Sequence, residues 1–165
     1  MVVIFMTAGR TSGIPPHKFS LTINEVAMLS ITREFRFEAA HHLSVLHLSP
    51  EENQRVFGSC SKIHGHSYRL QVTVCGIPDE HGWLLDFSEL KSVVQRCVLD
   101  DYDHVNLNIL DDFRDVPPTA ENMAVAIFRR LKPHCHGEHY RLFRVSVFET
   151  PDAWATWEED HADGI

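Results

Sequence analysis

Two stretches of alternating polarity, each bounded by histidine, constrain this chain more than any other feature. Ile31-Thr-Arg-Glu-Phe-Arg-Phe-Glu-Ala-Ala40 runs into His41, and His64-Gly-His66 opens Ser67-Tyr-Arg-Leu-Gln-Val-Thr-Val-Cys75. Residues two apart on a strand leave from the same face, so a period of two marks both runs as strands. Phe35 and Phe37 then share a face with His41, and Tyr68, Leu70, Val72 and Val74 share one with His66, while Ser67, Arg69, Gln71 and Thr73 point the other way. Paired antiparallel, these two strands bring the imidazoles of His41, His64 and His66 together from one side. His42 competes with His41 but falls on the opposite face, as a neighbour of the cluster.

A length of 165 residues suits one domain with one core. With 44% hydrophobic and 23% charged residues, and no stretch near the roughly 20 apolar residues of a membrane span, a soluble chain without a membrane partner is expected. A formal charge of −8 without a basic stripe argues against a nucleic-acid partner. Cys60, Cys75, Cys97 and Cys135 show no paired spacing and read as reduced thiols of a cytoplasmic protein. Residues 1 to 28 read as an N-terminal extension: they lack periodicity, carry Pro15-Pro16, and end at Met28, a second plausible start just before the first strand. Their apolar opening is too short and too little basic for a signal peptide. Residues 29 to 160 are expected to form a single catalytic domain.

Between the strands, residues 43 to 63 form a long connection with few periodic signals, of the kind that usually carries function, and it holds Cys60. After a turn at Pro78–Gly82, Asp86 and Glu89 bracket a helix start, and Phe87, Leu90, Val93, Val94, Cys97 and Val98 give a helical stripe to about Leu99. Asp100–Asn108 breaks this pattern. Thr119 caps a second helix that buries Ala120, Ala124, Ile127, Phe128 and Leu131 and ends before Pro133. Leu142–Phe148 is a third strand with Phe143, Val145, Val147 and Glu149 on one face, and Ala153–Trp157 a fourth after the turn at Pro151-Asp152. The order ββααββ predicts an α+β domain, a four-stranded antiparallel sheet with both helices on one face.

Three histidines leave one position of a tetrahedral zinc ion open, the arrangement of a catalytic site. A His-x-His pair alone is more often an ordinary pair of strand residues; His41 and Cys60 shift that balance. Cys60 precedes His64 by four residues among Ser59, Ser61 and Lys62, where a metal and a cation can lower a thiol's pKa enough for it to act as a base. Asp103-His104 joins a carboxylate to an imidazole, a pairing that adjacent residues achieve only outside regular elements; taken alone, it is more often a solvated acidic turn. Glu149 ends an apolar face: it needs a partner from protein or ligand, or else it emerges into water at the strand end. The turn His134-Cys135-His136, with His139, is metal-like in composition but reads as exposed. A zinc hydrolase would want a carboxylate base beside the metal, which this motif does not supply.

Taken together, Phe37-Glu-Ala-Ala-His41, Cys60-x3-His64-Gly-His66-Ser-Tyr, Gly82-Trp-Leu-Leu-Asp86-Phe, Asp103-His104-x-x-Leu-Asn, Pro118-Thr-Ala-Glu-Asn122 and Phe148-Glu149-Thr150 resemble the 6-pyruvoyl- and 6-carboxy-tetrahydropterin synthase superfamily in content and order. The resemblance implies the tunnelling fold, with subunits joined into a barrel, a hexamer of two trimers and sites between subunits. It also implies a pterin substrate, zinc on His41, His64 and His66, Cys60 as base with Asp103 and His104 assisting, and Glu149, Thr119 and Glu121 binding substrate. The three residues between Cys60 and His64, and the ending Glu149-Thr-Pro-Asp-Ala-Trp-Ala-Thr, look like the 6-carboxy-5,6,7,8-tetrahydropterin synthase branch of queuosine biosynthesis. That branch converts 7,8-dihydroneopterin triphosphate with release of acetaldehyde and triphosphate. The pyruvoyl synthase reaction and a non-catalytic, zinc-stabilised pterin-binding protein are the alternatives. His42, where the superfamily commonly has Arg, departs from its pattern.

Overall fold

A computed structural model describes residues 28–159, so the expected extension up to residue 27 lies outside the described residues. The two histidine-bounded runs form long antiparallel strands, β1 (Leu29–His41) and β2 (His64–Gly76). Their register sets His41 opposite His64, Ala39 opposite His66 and Phe37 opposite Tyr68. Gly65 is the residue that lets the strands close at this end. A Cβ there would stand 3.2 Å from the carbonyl oxygen of Ala39.

The expected loop between them contains a helix, α1 (Pro50–Phe57), followed by a 3-10 turn over Gly58–Ser61. Its signal was local rather than periodic: Ser49 and Glu52 make a reciprocal capping box, and Pro50 occupies the first turn, where a missing N–H costs nothing. Asn53 ties the preceding loop to this helix by accepting from Val45 N–H and donating to Val45 and Leu48 carbonyls.

Asp86 caps α2 (Phe87–Val94) through Ser88 N–H. The helix does not stop near Leu99; it passes through a π turn (Gln95–Leu99) into α3 (Asp100–Tyr102). Val105–Asn106 then forms β3, which pairs parallel with Ala39 and Ala40. The sheet therefore has five strands, in the order β3-β1-β2-β4-β5, rather than four. A two-residue strand is too short to show any alternation. Thr119 caps α4 (Ala120–Leu131) as expected, with its hydroxyl accepting from Asn122 N–H.

The remaining strands are β4 (Tyr140–Thr150) and β5 (Ala153–Glu158). Opposite Thr73/Val74 the β2–β4 register shifts, so the inward set is Leu142, Val145 and Val147, with Phe143 displaced from the core face that plain alternation assigned it. Cys135 is also corrected: it turns into the core at 1% exposure, whereas His134 and His136 beside it are exposed. Burial pushes its thiol up to about 12. Thr73, expected outside, is buried and shares a hydrogen bond with Thr32.

One core joins the inner faces of β1, β2 and β4 to both long helices. At its centre Phe37 stacks on Tyr68 at 5.0 Å and meets the edge of Tyr102 at 6.1 Å. Phe37→Ala is expected to cost about 3–5 kcal/mol of unfolding free energy. A urea titration checks this, and a loss below about 1 kcal/mol would mean that the site collapses around the gap.

Candidate metal and acid-base site

The ends of β1 and β2 bring His41, His64 and His66 together, with ring centroids 4.5 to 5.1 Å apart. His41 is 1% exposed and its Nδ1–H donates to the carbonyl of Pro118 at 2.8 Å. The Nδ1–H of His64 donates to the carbonyl of Lys62 at 2.7 Å. These two backbone partners fix the tautomers, leaving a lone pair on each Nε2, and the two Nε2 atoms stand 3.1 Å apart. Facing lone pairs repel unless a cation lies between them. Two nitrogens on one tetrahedral zinc at about 2.0–2.1 Å would be separated by roughly 3.3 Å, so the spacing fits.

His66 Nε2 supplies the third donor; it is buried and has no hydrogen-bond partner. Glu149 Oε1 lies 3.3 Å from it, and donor atoms of all four residues fall within 4.8 Å of one another. This corrects the expectation that no carboxylate stands beside the metal. Glu149 comes from β4, separated in sequence from the histidines, and a register shift between Phe148 and Thr150 precedes its turn. Its side chain is 30% exposed, so it is neither sealed in the core nor free in water. Burial lowers the pKa of His41, which favours the neutral, metal-binding imidazole. Tyr68, fully buried beneath the cluster with its hydroxyl 3.3 Å from His41 Nδ1, has its phenol pushed up chiefly by burial and then by the charge of Glu149.

Asp103 and His104 form a pair where the helix ends. His104 Nδ1–H donates to Asp103 Oδ1 at 2.9 Å, and the same oxygen accepts from Glu38 N–H at 2.8 Å. The Glu38 bond, followed by the His104 contact, holds the Asp103 carboxyl below its usual range. His104 adopts φ 59°, the one positive φ at a non-glycine among the described residues, and its N–H donates to the carbonyl of Glu38. The imidazole remains largely exposed, at 76%. It lines a cleft of about 430 Å³ together with Glu38, Gly65, His66, Ser67 and Asn106; of the clustered imidazoles only His66 borders this cleft.

Cys60 lies in the 3-10 turn, half-buried, with its carbonyl accepting from Leu43 N–H just beyond His41. Its thiol belongs to neither the four-residue donor group nor the cleft lining. Thr119 and Glu121 sit at the start of α4, directly after the Pro118 carbonyl that orients His41; Glu121 is exposed. His42 stays out of the cluster, with its N–H and carbonyl both bonded to the side chain of Asn108. The turn residues His134, His136 and His139 form no metal-capable group among the described residues.

Comparison with known proteins places this geometry. The family model described as 6-pyruvoyl tetrahydropterin synthase matches residues 30–160. The 6-pyruvoyl tetrahydrobiopterin synthase of Dictyostelium discoideum is 31% identical over 129 residues, covering 77% of this chain and 93% of its own. The 6-carboxy-5,6,7,8-tetrahydropterin synthase of Haemophilus influenzae is 31% identical over 154 residues, covering 80% and 100%. The structure of the 6-pyruvoyl tetrahydropterin synthase of Caenorhabditis elegans superposes with a TM-score of 0.75 at 32% identity, covering 81% of this chain and 97% of that one.

Proposed function

Because the chain belongs to the 6-pyruvoyl tetrahydropterin synthase family and shares its tunnelling fold, we propose that it is a zinc-dependent pterin lyase of the 6-carboxy-5,6,7,8-tetrahydropterin synthase type. The observation that carries this reading is the convergence of three imidazole nitrogens and the Glu149 carboxylate within 4.8 Å of one another, two of the imidazoles with tautomers set by backbone carbonyls. The carboxy reaction rests on the Cys60-x3-His64 spacing and the segment from Glu149 to Thr156. The pyruvoyl reaction is the second reading, since relatives bearing each name match at equal identity.

A zinc ion on His41, His64 and His66 would supply Lewis acidity toward the hydroxyls of the substrate's side chain. In this proposal the Cys60 thiolate takes a proton from that side chain. His104, held through its Nδ1–H by Asp103, returns one. Glu149 accepts from the two parallel N–H donors of the pterin's amidine edge, and Thr119 and Glu121 support the substrate from the start of α4. The site is proposed to be completed between subunits of a hexamer. Two features support this: the Cys60 thiol lies outside its own chain's four-residue donor group, and the segment that carries it exposes Leu46, Val56 and Ile63.

Incubation with 7,8-dihydroneopterin triphosphate and mass spectrometry of the products test the reading. Recovery of 6-carboxy-5,6,7,8-tetrahydropterin with acetaldehyde is expected; a pyruvoyl product would assign the other branch, and unchanged substrate would leave a binding protein.

Glu149→Gln is expected to weaken binding of a pterin analogue by roughly 2–4 kcal/mol, because one acceptor oxygen becomes a donor facing a donor. Zinc content should stay at the wild-type level. Calorimetric titration and elemental analysis check both, and a drop in bound zinc would make Glu149 a metal ligand instead.

A further inference from the structure

The Asp103–His104 pair is held on one side by the backbone of Glu38, but the turn that presents it is held from behind by a residue far away in sequence. A π turn carries an extra residue, and in the helix running from Phe87 to Tyr102 such a turn lies at Gln95–Leu99. Each added residue rotates the downstream helix by about 100°, so this turn sets which way Asp101, Tyr102 and then Asp103 face. Arg130, on α4, meets that rotated end on every side. Its Nη1 donates to the Cys97 carbonyl at 3.1 Å, inside the π turn, and to Asp101 Oδ2 at 2.5 Å. Its Nη2 lies 2.7 Å from Asp112 Oδ2. Its Cζ sits 5.1 Å from the centre of the Tyr102 ring, and the Tyr102 hydroxyl donates at 2.8 Å to that same Asp112 oxygen.

Tyr102 is fully buried, and the next residue is Asp103, where the chain leaves the helix with ψ 131°. One residue further, His104 takes up a left-handed backbone, which is unfavourable for a non-glycine residue and persists only when its surroundings over-determine it. Glu38 alone offers two backbone hydrogen bonds, and both act only if Asp103 arrives at the strand edge in the right place. A planar guanidinium reaching two carboxylates and a carbonyl at once is the arrangement that fixes such a turn, and an ammonium cannot reproduce it.

We propose that Arg130 is a positioning residue for the reaction: by clamping the π turn and Tyr102 it holds the Asp103–His104 pair in place against Glu38 at the edge of β1. This rests on the acid-base reading of that pair. Crystal structures and steady-state kinetics of Arg130→Met and Arg130→Lys in the full chain test it, with Asp103→Asn as a control on the reading itself. In Arg130→Met the His104 Nδ1–Asp103 Oδ1 contact is expected to open beyond hydrogen-bonding distance. Turnover of 7,8-dihydroneopterin triphosphate should fall about tenfold or more with KM and zinc content unchanged, and Arg130→Lys should recover part of it. A pair still in contact in Arg130→Met overturns the proposal, as does an opened pair with wild-type kcat where Asp103→Asn is impaired. If Arg130→Met does not fold, the same two readouts in Arg130→Lys and Asp112→Asn decide. Full activity in Asp103→Asn would show that the acid-base reading is what fails.

Discussion

His64→Ala is expected to lose bound zinc and at least about 10²-fold of turnover while retaining the fold. Its Nε2 faces that of His41 at 3.1 Å, and both rings are held in place by carbonyls of the main chain. Loss of a partner that only orients a metal ligand typically costs 10–100-fold, and a direct ligand should cost no less. The fold should survive because His64 lies at the end of β2, beyond the apolar face running from Tyr68 to Val74 that ties the sheet to its helices. Elemental analysis of purified protein, beside circular dichroism, reads both outcomes. If the variant lacking His41, His64 and His66 still held stoichiometric zinc, the metal would belong elsewhere, first of all at the exposed turn around His134 and His136.

Cys60→Ala should leave zinc, assembly and pterin affinity intact and lower turnover by about 10²-fold or more. The thiol is half-buried rather than sealed, and it sits in a short 3-10 turn pinned to Leu43. Removing one sulfur there opens no core cavity, which separates a chemical effect from a structural one. Single-turnover kinetics with bound substrate would show the defect in the chemical step. Unchanged rates would move the role of base to His104.

The order of residues along the chain decides the core of the site. Alternation in β1 and β2 is a local property, readable because each side chain's face follows from its position alone, and it predicted that His41, His64 and His66 would share a side. The capping signals at Asp86 and Thr119 were equally local, since a cap needs only its own next few N–H groups. A cap of the same kind, Ser49-Pro-Glu-Glu52, opens α1 within a segment whose periodicity is too weak to show a helix.

The features that escaped the sequence depended on contacts between distant segments. The bulge that exchanged Phe143 for Leu142 arises from matching β4 to β2, and no pattern within β4 records it. The two-residue strand β3 exists because Glu38 captures the turn at Asp103 and His104, a long-range event with no periodic trace. Glu149 could be recognised as a carboxylate on an apolar face, but its place 3.3 Å from His66 required the sheet order that sets β4 beside β2. Arg130 carries no local signal in the last turn of α4; only packing against the rotated end of the preceding helix gave it two carboxylates, a carbonyl and an aromatic face. Strand faces and caps are determined within a few residues of chain, whereas the partners of a charged side chain are chosen by which elements the core presses together.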